Sequence, residues 1–131
     1  MKKIFFILLL SPAMAQAQSK TDYDRTVANF QKYYNGGMID SLINMYSDTW
    51  GEHKSKLWSK ETNDELTKKY GKMTGYKFLA MEPEDSVMIY KVTFTKSIHA
   101  MGVWLENDKK VGTFRFHTSS PFIDKQMKKA K

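Results

Sequence analysis

One histidine and one tyrosine are the side chains in this sequence that could act together on a substrate. His99 alternates with Met101, Val103 and Leu105, and Tyr90 alternates with Met88, Val92 and Phe94, so each is expected on the inward face of a strand. In a shared pocket the imidazole would act as general base and the phenol would donate to a developing oxyanion, the equipment of an isomerase- or cyclase-type enzyme. Tyr34 and Tyr46 are further candidate donors. A carboxylate base is missing. Asp22, Asp24, Asp64, Glu65, Glu82, Glu84, Asp85, Glu106 and Asp108 fall in turns and at helix starts, and Asp40 suits the first turn of a helix, where it complements the dipole. His117 shares a solvent-facing side with Arg115 and Thr113, and His53 lies in an irregular stretch. A lone histidine on an apolar face is usually a satisfied, partly buried group, so a non-catalytic protein is the expectation and the His99–Tyr90 enzyme the alternative.

Other chemistries find less to build on. With 3 histidines, no cysteine and no His-Glu-x-x-His spacing, no metal site is expected. A glycine-rich phosphate loop, a nucleophile elbow and an aspartate-rich calcium loop are all absent, so no cofactor is expected. Eight methionines follow Met1, and with Met88 and Met101 at core-like strand positions and Met45 in a helix they read as packing residues. Trp50, Trp58 and Trp104 suit a carbohydrate or peptide platform, and Trp104, which shares a face with the small residues Ala100 and Gly102, is the candidate surface-binding residue.

Charge and the first residues bear on location and partners. Met1-Lys2-Lys3, the apolar run Ile4 to Leu10 and the small-residue stretch to Ala17 have the layout of a secretory signal peptide, with cleavage expected after Ala17. The run is far shorter than the roughly 20 apolar residues that span a bilayer, so no transmembrane segment is expected in the mature chain. A secreted or periplasmic protein follows. The formal net charge is +7, and six of those charges sit on Lys2, Lys3, Lys125, Lys128, Lys129 and Lys131. A positive balance held at the chain ends gives no basic groove, which argues against nucleic acid as a partner.

Three helices and four strands must position these residues. Tyr23, Val27, Phe30 and Tyr34 share one face of a helix from about Asp22 to Tyr34, stopped by Asn35-Gly36-Gly37. Ile39, Leu42, Ile43 and Tyr46 form the stripe of a shorter second helix, and Ser47 to Leu57 reads as loop or extended chain. Thr62-Asn63-Asp64-Glu65 has the capping-box pattern in a third helix from about Ser59 to Tyr70. After Gly75 the period falls to 2, giving strands over Tyr76–Met81, Val87–Thr95, Ile98–Leu105 and Val111–His117. The short links impose antiparallel meander pairing, and Gly102 and Gly112 inside strands suit a bent sheet. The expected fold is α+β, with N-terminal helices packed on a curved antiparallel four-stranded meander sheet. The domain would occupy residues 18–120 after a leader at 1–17, with 121–131 a solvated basic tail.

Phe30, Tyr33-Tyr34-Asn35-Gly36-Gly37, Leu42 through Tyr46-Ser47, Tyr70-Gly71-Lys72-Met73, Val92-Thr93-Phe94 and Leu105-Glu106-Asn107-Asp108-Lys109-Lys110-Val111-Gly112 resemble, in order and spacing, the domain-of-unknown-function family 3887. The resemblance covers about residues 22–117 and departs from the family's pattern at Thr74-Gly75. That family belongs to the nuclear transport factor 2-like superfamily, so the resemblance implies a cystatin-like cone in which a bent sheet wraps the first helix. It implies no catalytic residues. A cone leaves a pocket between helix and sheet, with Phe30, Tyr34, Tyr46, Met88, Tyr90, Val92, Phe94, His99 and Met101 as the expected lining. The expected occupant is a small apolar ligand or a peptide, and the resemblance also implies a homodimer through the sheet.

Overall fold

The apolar rhythm of the first segment gives a helix, α1, over residues 20–36 of a computed structural model that describes residues 20–84, 86–116 and 120–130. The expected leader, Asp85 and His117 lie outside the described residues. Tyr23, Val27, Phe30 and Tyr34 are all buried, as their spacing predicts. The helix ends where Gly37 takes a φ of 63°. There Gly37 N–H reaches Tyr34 O at 3.2 Å and Met38 N–H reaches Tyr33 O at 2.9 Å, the paired closing bonds of a Schellman end.

Helix α2 spans Ile39–Asn44 and buries Leu42. Asp48–Lys56 is not extended chain but 3-10 helix, kinked at Gly51 (φ 56°, ψ −132°). Helix α3, Lys60–Tyr70, matches the expected span from about Ser59 to Tyr70, and its cap is Ser59, whose Oγ accepts Thr62 N–H at 3.0 Å. Thr62-Asn63-Asp64-Glu65 therefore lies inside the helix.

Four antiparallel strands follow in the order β1-β2-β3-β4: β1 Met73–Met81, β2 Met88–Phe94, β3 Ile98–Leu105 and β4 Val111–Phe116. Strand β1 starts three residues ahead of the expected Tyr76, with a register shift between Met73 and Gly75. Its start is held by Asn35, whose amide group accepts Met73 N–H at 2.8 Å and donates to Met73 O at 2.8 Å. Of the two strand glycines, Gly112 meets the expectation: the register shifts between Trp104 and Leu105, so β4 carries an extra residue there. Gly102 does not, since the β2–β3 register runs through it unbroken. A Cβ there would lie 2.9 Å from Val87 Cγ1, so its smallness serves packing.

Both faces of the sheet are covered. Tyr90, Val92, Phe94, Met101 and Val103 pack against the α1 stripe, Leu42, Trp58 and Tyr70. On the opposite face Val87, Ile89 and Ala100 pack against Ile123, with Leu79, Phe122 and Met127 around them. Ile123 belongs to α4, Pro121–Lys129, so the segment expected to be a solvated tail is a helix docked on the sheet. Ser120 Oγ caps it by accepting Ile123 N–H at 3.2 Å, and Lys91 Nζ donates to Ala130 O at 3.2 Å at its other end. Its apolar residues Phe122, Ile123 and Met127 are too few, among three lysines, to stand out as a stripe. No helix among the described residues is long and apolar enough to cross a membrane.

Candidate ligand cleft

The residues expected to line a pocket form the core instead. Phe30 stacks on Tyr34 at 5.7 Å between centroids and meets Phe114 at 5.0 Å, Phe116 at 5.6 Å and Trp58 at 5.8 Å. Tyr34, Val92, Phe94 and Met101 are buried in the same cluster, Met88 packs against it, and Tyr46 is buried beside Phe114. Among the described residues these side chains pack against one another between sheet and helix.

His99 and Tyr90 serve different partners. His99 is half-buried, its ring 4.6 Å from that of Tyr70 and 5.9 Å from that of Phe94, and its Nε2 lies 2.8 Å from Ser97 Oγ. Tyr90 is fully buried, and its hydroxyl donates to Asp24 Oδ1 at 2.6 Å. His53 is exposed in the 3-10 segment. Trp58 is buried, while Trp50 and Trp104 are half-exposed beside β4: the Trp50 indole donates to Gly112 O at 3.0 Å. Among the described residues no three His, Asp or Glu side chains come together in the way a metal site requires.

The polar groups that do converge lie elsewhere. Asp22, Thr26, Asn29 and Tyr33 recur along α1 with the core stripe's own spacing, displaced by one residue, and so form a ledge beside it. With Arg25 they form one wall of a cleft of about 420 Å³, whose other walls are Ser41, Asn44 and Met45 around α2, and Lys109 and Lys110 from the β3–β4 turn. A smaller cleft of about 290 Å³ adjoins it, sharing Asp22 and Lys109. Their common rib is the Asp22–Lys109 ion pair at 3.8 Å.

Local sequence explains how the turn reaches α1. Lys109 N–H bonds Glu106 O at 2.9 Å and Glu106 N–H bonds Lys110 O at 2.8 Å, closing a short hairpin in which Lys109 takes a φ of 63°. Asp108 braces this loop: its carboxylate accepts Ser47 Oγ at 2.8 Å, Asp48 N–H at 3.2 Å and Lys110 N–H at 3.0 Å. The Ser47 bond foremost holds the Asp108 pKa below the ordinary carboxylate value. Ser47 is itself fully buried and donates its N–H to Val111 O at 2.7 Å, so the turn, the start of β4 and the chain after α2 are tied together.

Inside the cleft little polar capacity is used. Arg25 Nη1 is 3.8 Å from Asp22 Oδ1, as far as Lys109 is from Oδ2, and both separations exceed hydrogen-bond length. Lys110 is 3.5 Å from Asp48 Oδ1, which already takes Lys54 at 2.8 Å. Among the described residues, the side chains of Asn29, Tyr33, Ser41 and Asn44 have no hydrogen-bond partner within the chain. Reading α1 for its apolar face alone missed this site, although the displaced polar repeat was present in the sequence. No family model, curated protein or solved structure matches the chain.

Proposed function

We propose that the chain is an exported, non-catalytic binding module of the nuclear transport factor 2-like kind, and that its ligand sits in the cleft between α1, α2 and the β3–β4 turn. The observation that carries this reading is the convergence of the side chains of Asn29, Tyr33, Ser41 and Asn44, without hydrogen-bond partners among the described residues, on a concavity of about 420 Å³. That size falls within the range of small-molecule sites, about 300–1,000 Å³. Helices followed by a meander support the superfamily, and the layout of residues 1–17 supports export. The filled core turns the expected ligand from apolar to polar: an apolar guest would have to displace Phe30 or Phe114, whereas a polar one meets donors and acceptors already facing water.

Amide chemical-shift mapping of residues 18–131 against a library of small polar metabolites tests the reading. Shifts centred on Arg25, Asn29, Ser41 and Asn44, weakened by the Asn29→Ala and Ser41→Ala exchanges, are expected. Ligands whose shifts centre on another part of the molecule, or whose binding ignores both exchanges, would overturn it.

A further inference from the structure

Resting on that cleft, we infer that its ligand is a phosphomonoester carried on a hydroxyl-bearing small molecule, held by Arg25, Lys109 and Lys110. The cleft wall carries three cationic side chains and the carboxylate of Asp22, and Asp48, which Lys110 approaches at 3.5 Å, is already paired with Lys54 at 2.8 Å, a balance that suits a dianion. A phosphomonoester carries about −1.5 to −2 charges at pH 7, closer to that balance than a single carboxylate.

Two of the cations are drawn together without their donors being consumed, while Lys110 leans toward Asp48 at 3.5 Å. Arg25 and Lys109 flank the two oxygens of Asp22 at 3.8 Å each, close enough for attraction and too far for a hydrogen bond. Both heads are well exposed, at 67% and 68% of their side-chain surface, so a ligand can reach them. Asp22 thus gathers Arg25 and Lys109 near one point while leaving their N–H groups for an incoming phosphate, which bonds them more strongly than a neutral acceptor would. Asn29, Ser41, Asn44 and Tyr33 line the rest of the cleft and suit hydroxyls. Lys109 adds an independent sign. It is a non-glycine residue in the left-handed region, where glycine or asparagine is the usual choice. A lysine kept in that conformation puts a cation on the rib between the two clefts.

Titration calorimetry of residues 18–131 with glucose 6-phosphate, glucose and citrate tests the inference. Saturable binding of the sugar phosphate is expected, weakening as salt rises, with glucose weaker by about tenfold or more. Lys109→Gly is the informative variant: glycine suits a φ of 63°, so the fold should persist, verified by an unchanged circular dichroism spectrum, while affinity falls about tenfold. Arg25→Gln should do the same. Equal affinity for glucose and its phosphate, or binding that both variants leave intact, would overturn the anion while leaving the cleft as a site for neutral ligands. Citrate binding more tightly than the phosphate would replace phosphomonoester by carboxylate and also overturn the inference. A probe that binds with shifts away from the cleft overturns the underlying reading. Retention on vesicles containing phosphatidic acid, with no competition from glucose 6-phosphate, would assign the phosphate to a lipid surface and overturn the small-molecule form.

Discussion

Tyr90 shows how much one hydroxyl can tie together. Its ring lies in the sheet core near Phe78 and Tyr76, while its oxygen donates to Asp24 on α1, which also binds Lys20 at 2.8 Å. Burial, and then the bond to Asp24, push the Tyr90 pKa far above the ordinary phenol value of 10.0. Burial alone would raise Asp24, but the hydrogen bonds from Lys20 and Tyr90 outweigh it and leave that carboxyl below its ordinary 3.8. The two shifts affect opposite ends of the pH scale. The fold favours neutral Tyr90, so that stability is complete below pH 10.0 and is lost as pH rises above it. It favours ionised Asp24, so that stability is present above pH 3.8 and is lost as pH falls through the lowered value. Tyr90→Phe should cost about 1–2 kcal/mol at neutral pH, near the lower end for a charge-assisted bond, because the Asp24 side chain is 39% exposed and water can replace the phenol. Urea melts should show the variant losing less stability than the wild type above pH 10, with the remaining decline owed partly to Tyr46, which burial pushes to about 12. Equal alkaline slopes for variant and wild type would mean that the Tyr90 hydroxyl does not carry this dependence. The inward face of Tyr90 was legible from alternation with Met88, Val92 and Phe94. Its partner was not, since Asp24 lies 66 residues away and reads locally as a helix-start acid.

Between elements, the joint from α3 to β1 carries the sharpest backbone constraint. Gly71 has φ 81° and ψ −165°, a region that residues with a Cβ hardly enter. A Cβ there would also lie 1.7 Å from Thr95 Oγ1, well inside any tolerable contact. The site is further committed because Gly71 N–H donates to Thr67 O at 2.8 Å and its carbonyl accepts the Tyr34 hydroxyl at 2.7 Å. Gly71→Ala should therefore destabilise by about 2–4 kcal/mol, combining backbone strain with displacement of Thr95. Adding Thr95→Ala should return only the steric part, and a double variant restored to wild-type stability would show that the backbone angle costs nothing. This joint illustrates what sequence conveys at this scale. Tyr70-Gly71 announces a helix end, but the packing against Thr95 follows only from the β1–β2 pairing. The start of α3 near Ser59 was legible locally, but Thr62-Asn63-Asp64-Glu65 is not its cap, because a capping box inside a helix has the same spelling as one at its start. The cleft was hidden for a related reason: the polar repeat Asp22, Thr26, Asn29, Tyr33 becomes a wall only when the β3–β4 turn comes to lie against it, and no local rhythm encodes that approach.

For the molecule as a whole, the sheet has two apolar faces and therefore needs a cover on each. The α1 stripe, in a strong 3.6-residue rhythm, announced the first cover. The second depends on α4, whose Ile123 is only 1% exposed and whose basic residues made it read as a tail. Burying one isoleucine is worth about 1.5–3 kcal/mol, and its loss leaves a cavity against Val87 and Ile89, so Ile123→Ala should cost about 2–5 kcal/mol. Removing residues 120–131 goes further, because it leaves Val87, just ahead of β2, Ile89 on β2 and Ala100 on β3 without their cover, beside the already exposed Trp104 and Ile98. An uncovered apolar sheet face seeks a partner, so the shortened chain should associate through it or melt at a lower temperature, whereas α4 blocks that association in the longer one. Light scattering and thermal melts of residues 18–119 beside 18–131 separate these states. If the shortened chain stays monomeric with an unchanged melting temperature, α4 contributes nothing to the outer core; if both chains dimerise alike, association uses a surface other than the one α4 covers.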